Sequence, residues 1–216
     1  MAIVNSINNK TSELTVDPGA SGDSFVQFNI GTGKFRIGVD DTDDSFRISQ
    51  GSALGTNDTF IMSSAGERTM PLQSAFLVIL TSTKSNVTGN NVKYTASWDS
   101  EIFDQNSDFS GTTFTAPVTG RYRFEASMLL GDLTSTHNNN SFRLETSNRT
   151  YLIQNNPGGS RSSADEYSCY MSVLADMDAS DTAVLAIQVV GSTQTVDVES
   201  NGSSDPQTWW SGNLEV

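Results

Sequence analysis

The chain has 216 residues and carries 25 acidic against 12 basic side chains, a formal net charge of −13. That excess repels phosphate backbones and anionic bilayers, so nucleic-acid binding and membrane-surface docking are excluded as working readings. Charged residues are only 17 % of the chain and apolar ones 36 %, so much of the polar surface must come from Ser, Thr, Asn and Gly, a mix suited to short strands and many turns.

The N-terminus, MAIVNSINNK, has no basic segment followed by an apolar one. The expectation is a protein made in a cytoplasm and not exported by a signal peptide. No stretch approaches the ~20 apolar residues of a membrane helix. Residues 1–23 read as an anchor or arm.

Residues 24–70 hold short runs that alternate with period two: SFVQFNI (24–30), KFRIGV (34–39), SFRIS (45–49) and TFIMS (59–63). Their apolar positions are Val26/Phe28/Ile30, Phe35/Ile37/Val39, Phe46/Ile48 and Phe60/Met62. Each run offers two or three apolar side chains on one side, too thin a strip to make a core alone. The strips must pack on the C-terminal region or against identical strips of other chains around a symmetry axis. Their thinness favours the second arrangement. Phe28, Ile30, Phe35, Ile37, Phe46 and Ile48 are then the contacts of a trimeric shaft.

Between two of these runs lies GVDDTDDSFRI, with Asp40, Asp41, Asp43 and Asp44 inside five positions. The order lacks the Asp-x-Asp-x-Asp-Gly pattern and distal Glu of an EF-hand. A solvated acidic turn is the plain reading, since Asp is a favoured turn residue. Calcium is the candidate ion should the turns of three chains converge. The stretch from 17 to about 70, with its aromatic-x-Ile strands, acidic turn and LGTND, resembles the shaft-type segments of bacteriophage tail-fibre and appendage proteins. That resemblance implies a virion setting.

GERTMPLQ (66–73) is punctuated by Gly66 and Pro71, and longer apolar strands follow. Residues 71–216 therefore read as a second domain. Its strand candidates are SAFLVILTS, VKYTAS, SEIFDQ, GTTFTAPV, GRYRFEASMLL, SFRLETS, RTYLIQN, EYSCYMSVLADM, DTAVLAIQVV and QTWWSGNLEV. With no helix among them, they imply a β-sandwich or jelly roll. In FTAPVTGRYRF, Pro117 belongs at a strand end and Gly120 is expected to supply the φ freedom for a tight reversal.

These stretches, in this order, resemble the C1q-type globular head of the wider tumour-necrosis-factor-like jelly-roll group. Ala75 and Phe76 match its opening strand. Phe114, Pro117, Gly120, Tyr122 and Phe124 match its Phe-x-x-Pro-x-x-Gly-x-Tyr-x-Phe signature, and Trp210, Ser211, Gly212 and Leu214 match its closing strand. Asn213 departs from the family, which has an apolar residue there, and Trp209 is an additional aromatic. There is no Gly-X-Y run. The resemblance implies an all-β fold, a ten-stranded jelly roll preceded by a short β-shaft, assembled as a homotrimer.

Enzyme chemistry finds little support. His137 is the sole imidazole, in the loop-like STHNNN, and is expected on the surface. Cys169 is the sole thiol, inside a strand-like run, and is expected to be buried and inert. The pairs Asp104/Asp108 and Asp165/Glu166 define no cleft, and GTGK (31–34) is no P-loop. No enzyme activity and no cofactor beyond candidate calcium are expected. The polar loops 131–141, 155–166 and 191–207 read equally as recognition loops or as solvated connectors. The combined expectation is a virion structural protein, a fibre, decoration or appendage of head or tail. Its N-terminal region would meet capsid or tail proteins, and its knob would meet a host-surface glycan or protein. The alternative is a bacterial C1q-like ligand- or glycan-binding protein outside any virion.

Overall fold

A computed structural model describes residues 16, 18, 19, 21–31 and 33–216, the side chain of Ile30 excepted. The arm expected over 1–23 thus lies outside the described residues apart from 16, 18, 19 and 21–23. The chain divides into two compact units, Met1–Leu72 and Gln73–Val216.

The first unit is one antiparallel sheet. Its strands β1 (Ser24–Ile30), β2 (Gly33–Asp40), β3 (Ser45–Gln50), β4 (Asp58–Met62) and β5 (Arg68–Thr69) lie side by side in chain order. Residues directly opposite in such a ladder share a face. The register puts Val26, Ile37, Ile48 and Phe60 in one row. Val39, Phe46 and Met62 lie in the next row, and Phe28 with Phe35 in the row beyond Val26. The four thin strips read from the sequence are therefore one continuous apolar face.

The opposite face is polar and covered around Arg47, and it also carries Phe25, under the Arg36 guanidinium, and Ile61. Arg47 lies at its centre with 12 % of its side chain exposed, paired to the buried Asp40 (3.3 Å) and Asp58 and to the more open Asp43 (2.6 Å). The buried Ser49 hydroxyl donates to Asp58. The 51–57 connection is held over this side. Its Gly55 backs onto Asp40, where an added Cβ would lie 2.9 Å from the carboxylate, and its Leu54 is buried. The usual arrangement is inverted, with the polar face closed and the apolar face open.

The second unit is a sandwich of two antiparallel sheets with jelly-roll character. Its strands are β6 (Ala75–Ile79), β7 (Lys84–Thr88), β8 (Lys93–Thr95), β9 (Ser100–Gln105), β10 (Phe109–Ser110), β11 (Thr113–Thr115), β12 (Gly120–Gly131), β13 (Asn139–Thr146), β14 (Thr150–Asn155), β15 (Tyr167–Met177), β16 (Thr182–Val190), β17 (Val196–Val198) and β18 (Trp209–Leu214). One sheet runs β10-β11-β16-β13-β14, with β8 also on β16. The other runs β7-β17-β12-β18-β6-β9, with β15 also on β12. The ten strands expected from the sequence are all present. The three additions, β7, β10 and β17, are two to five residues long, and so left little periodic signal. SVLADMDASDTAVLAIQVV is two strands, β15 and β16, around the turn at 178–181.

The core between the sheets is aromatic at one end. Phe76 stacks on Phe109 at 5.0 Å and on Phe114 at 5.2 Å, and meets Trp210 edge-on at 5.1 Å. Tyr122 sits 5.4 Å from Phe114, and Phe124 lies 5.9 Å from Trp210. Such offset and edge contacts add to the burial of the rings. Phe114, Tyr122, Phe124 and Trp210, singled out in the sequence, all lie within this cluster.

The signature residues each have a physical reason. The Tyr122 hydroxyl donates to Val118 O at 2.7 Å, so the buried ring keeps a partner for its polar end and ties the 117–119 turn back onto β12. Gly212 sits where a Cβ would come within 2.6 Å of Phe76 and 2.7 Å of Phe124, so only a hydrogen fits between the rings. Pro117 is exposed in the turn before β12, where no ladder bond is needed. Gly120 departs from expectation. Its φ is not positive, so it gives no left-handed freedom to the turn. Its role is space, because a Cβ would lie 2.7 Å from Leu214 and from Val216 O.

Candidate functional site

Among the described residues, the exposed features that look outward for a partner are two apolar sheet faces. On the first unit, Phe28 is 54 % exposed, Phe35 and Val39 are 40 % and Val26 is 38 %, while Ile37, Phe46, Ile48, Phe60 and Met62 are half-buried. Five of the six residues expected to form shaft contacts, Phe28, Phe35, Ile37, Phe46 and Ile48, share this face; the Ile30 side chain lies outside the described residues.

On the second unit, the outer face of the β12 sheet carries a smaller patch. The register sets Tyr170, Ser127, Trp209 and Ile79 in one row, and Ser172, Glu125, Ser211, Leu77 and Phe103 in the next. Tyr170 and Trp209 lie 6.4 Å apart. Leu77, Ile79, Ile102, Phe103, Pro206 and Trp209 line an apolar depression of about 550 Å³. Ile102, Phe103, Tyr170 and Leu174 are each about half exposed. In the third row Leu174 stands opposite Arg123, which pairs with Glu215 at 2.7 Å and lies beside Asn213. Trp209, the additional aromatic of the sequence, is the middle of this patch.

The acidic turn has a different role from a closed metal loop. Asp40 Oδ1 accepts from Thr42 N at 3.0 Å, and Asp43 Oδ1 from Ser45 N at 3.1 Å, two side-chain turns in series. Asp44 is left-handed, with φ 56°, a conformation Asp tolerates better than most residues. Hydrogen bonding from Ser45, and then from Arg47, holds the Asp43 carboxyl below the usual carboxylate range. Of the four aspartates, Asp40 and Asp41 come together, joined by Asp23, with one oxygen of each within 4.8 Å of the others. Asp41 and Asp23 are themselves engaged, Asp41 Oδ2 with Gly22 N at 2.8 Å and Asp23 Oδ1 with Asp41 N at 3.2 Å. Asp43 faces Arg47 instead.

His137 is a correction to the sequence reading, which placed it on the surface. It is fully buried. Thr134 N–H donates to Nδ1 at 2.9 Å, which leaves the hydrogen on Nε2, and Nε2 donates to Gln194 O at 3.1 Å. Its own carbonyl accepts from Gly158 N at 2.8 Å. The imidazole thus pins the 131–141 loop to the 191–196 segment, and the His137 carbonyl ties the same loop to the single-turn helix α1 (Pro157–Ser160). A lone His in a polar run gave no sign of this, because its partners are backbone groups far along the chain.

The remaining reactive candidates are also built into the framework. Cys169 is buried, accepts from Asn140 Nδ2 at 2.8 Å, and burial pushes its thiol up to about 12. A thiol so placed is not a nucleophile near neutral pH. Asp104 accepts from the amides of Asp108 and Phe109. Burial, and then the Asp104 charge, raises the Asp108 carboxyl. Asp165 pairs with Arg161 at 2.7 Å. The three polar loops are tied down as well: β17 runs through the third, and the Asn156 side chain caps α1 in the second.

No family model matches the chain, and no curated protein matches it. Among solved structures the chain is similar to the globular domain of zebrafish complement 1qA protein, at 15 % identity and a TM-score of 0.45 over 66 % of this chain and 98 % of that one. It is also similar to murine APRIL in crystals at pH 8.0, at 12 % identity and a TM-score of 0.45, and at pH 8.5, at 13 % and 0.43. Both cover 66 % of this chain and 99 % of APRIL.

Proposed function

We propose that this chain is a homotrimeric structural protein of a bacteriophage particle, a fibre, decoration or appendage of head or tail, whose C-terminal knob contacts the host surface. The observation that carries the assembly is the pair of open apolar faces, one on each unit, in a chain of net charge −13. Exposed apolar faces of this extent mark association surfaces. A ring of three closes on itself without leaving a free copy of the surface. The virion setting rests on the likeness of residues 17–70 to phage shaft segments. In this reading the N-terminal region meets capsid or tail proteins, and the 131–141, 155–166 and 191–207 loops are presented on a rigid sandwich. Calcium has no part in the reading.

Light scattering on the purified chain at micromolar concentration is expected to give the mass of three chains, and a monomer overturns the assembly. Immunogold labelling or mass spectrometry of purified particles is expected to find the protein on the virion. Its absence from particles overturns the virion role and leaves a free ligand-binding protein.

A further inference from the structure

The open face of the first unit has the dimensions of one wall of a closed threefold prism. Four strands at ~4.8 Å spacing make it about 19 Å wide. Three equal walls of that width around an axis parallel to the strands leave each wall about 5.5 Å from the axis. That is about half the ~10 Å at which two sheets pack face to face, so side chains from three walls fill the middle without a void.

Charge points the same way. The face runs through Val26, Phe28, Phe35, Ile37, Val39, Phe46, Ile48, Phe60 and Met62 with no charged residue between them. Arg47 and Asp40 point to the other face, and Arg68 stands opposite Met62 on the two-residue edge strand β5. In so acidic a chain, this surface carries no acidic side chain, and its one charge, Arg68, stands at the β5 edge. The opposite side carries the Arg47 network under the 51–57 connection, so the continuous apolar surface of the sheet is on this side alone.

The edges decide between two sheets and three. A face-to-face pair of sheets leaves β1 and β4 open as edge strands, which invite further pairing. Three walls bring β1 of each copy to β4 of the next. β5 pairs only with Ile61 and Met62, so β4 is the outermost strand at the level of Phe60. Val26 and Phe60 are the two ends of one row perpendicular to the strands, and rotation about an axis along the strands keeps them level.

We infer that the first units of three chains form a closed triangular prism in which Val26 of each chain meets Phe60 of the next. This rests on the trimeric reading above and adds its axis, its corner contacts and the residues inside it. The full chain carrying Val26→Cys and Phe60→Cys together tests it, after mild oxidation, thiol blocking and a non-reducing denaturing gel. Cys169 is buried and stays silent. The expected result is a covalent trimer from the double variant and only single chains from each single variant. Covalent dimers alone, or a scattering trimer that does not cross-link, overturns the prism and leaves the trimer standing. A scattering monomer overturns the trimer itself. Should the double variant fail to fold, radical footprinting of the unaltered trimer reads the same interior. Phe28 and Phe35 protected supports the prism, and labelling at the rate of free phenylalanine overturns it.

Discussion

The two units use the same alternating strands to opposite ends. In the second, every large side chain of the Phe76–Trp210 cluster is enclosed between two sheets that one chain supplies. In the first, one chain supplies one sheet, and its interior-like face is left outward while an Arg-carboxylate network fills the covered side. The sandwich is a finished fold. The sheet is not: its apolar face has no cover within the described residues of the first unit. The lesson is that period-two alternation identifies a buried face without saying which chain buries it.

The sharpest way to separate the two is to remove a ring from each. Trp210→Ala empties a site that is fully enclosed and is expected to cost about 3–5 kcal/mol at any protein concentration. Phe28→Ala removes a ring that is 54 % exposed. Its effect is expected to be within about 0.5 kcal/mol for the dilute, unassembled chain and to grow with concentration as copies associate. Calorimetry over a concentration series checks both. A concentration-independent loss from Phe28→Ala would erase the distinction.

The polar side of the first unit gives the next effect. Arg47→Met would leave Asp40 and Asp58 buried without their cation. Breaking such a pair from one side costs about 3–5 kcal/mol at the upper end, and less here because Asp43 and the turn admit water. Loss of amide protection in residues 33–62, with β12 and β16 unchanged, is the expected hydrogen-exchange result. A variant as protected as the parent would mean that the covered side adds nothing to the sheet.

The strands themselves were legible because alternation survives in every long run, and the split of β15 from β16 was marked by the polar turn at 178–181. The merging of four strips into one face was not legible. It depends on register, which the turn at 41–44 sets through Asp40, Asp43 and the left-handed Asp44. The role of the aspartates was hidden for the same reason. Their partner Arg47 lies on the next strand, and Asp58 lies beyond a connection of irregular length. Position could have pointed to it, since Arg47 falls between Phe46 and Ile48 and so must face away from them. Gly120 and His137 were misjudged because close backbone approaches and long-range carbonyl partners leave no local pattern.

A smaller effect probes the finished unit. Asp108 Oδ2 is buried, and its carboxyl is raised above 3.8 by burial and then by the Asp104 charge, against the Ser74 hydroxyl, which lowers it. A group whose folded value is raised favours folding while it is protonated, and loses that advantage as pH rises through the folded value. At neutral pH the charge therefore works against the fold. Asp108→Asn is expected to raise the melting temperature at pH 7 by about 1–2 °C, a gain that fades as pH falls through the raised folded value and is gone below the ordinary 3.8. A loss at pH 7 would show that the charge is needed where it lies.

The smallest expected effect belongs to the acidic turn. Three aspartates, Asp23, Asp40 and Asp41, do present oxygens to one point. Each is nonetheless held by the chain: Asp40 by Thr42 N and Arg47, Asp41 by Gly22 N, Asp23 by Asp41 N. A cation there would have to compete with Arg47 for Asp40, and the guanidinium already balances that charge in a site only 7 % exposed. Chelator is therefore expected to leave the melting of the first unit unchanged, and added calcium to shift it no more than added magnesium. A calcium-specific rise that disappears in Asp23→Asn would reverse the assignment. It would make the turn the place where three acidic chains are reconciled, and Arg47 only its scaffold.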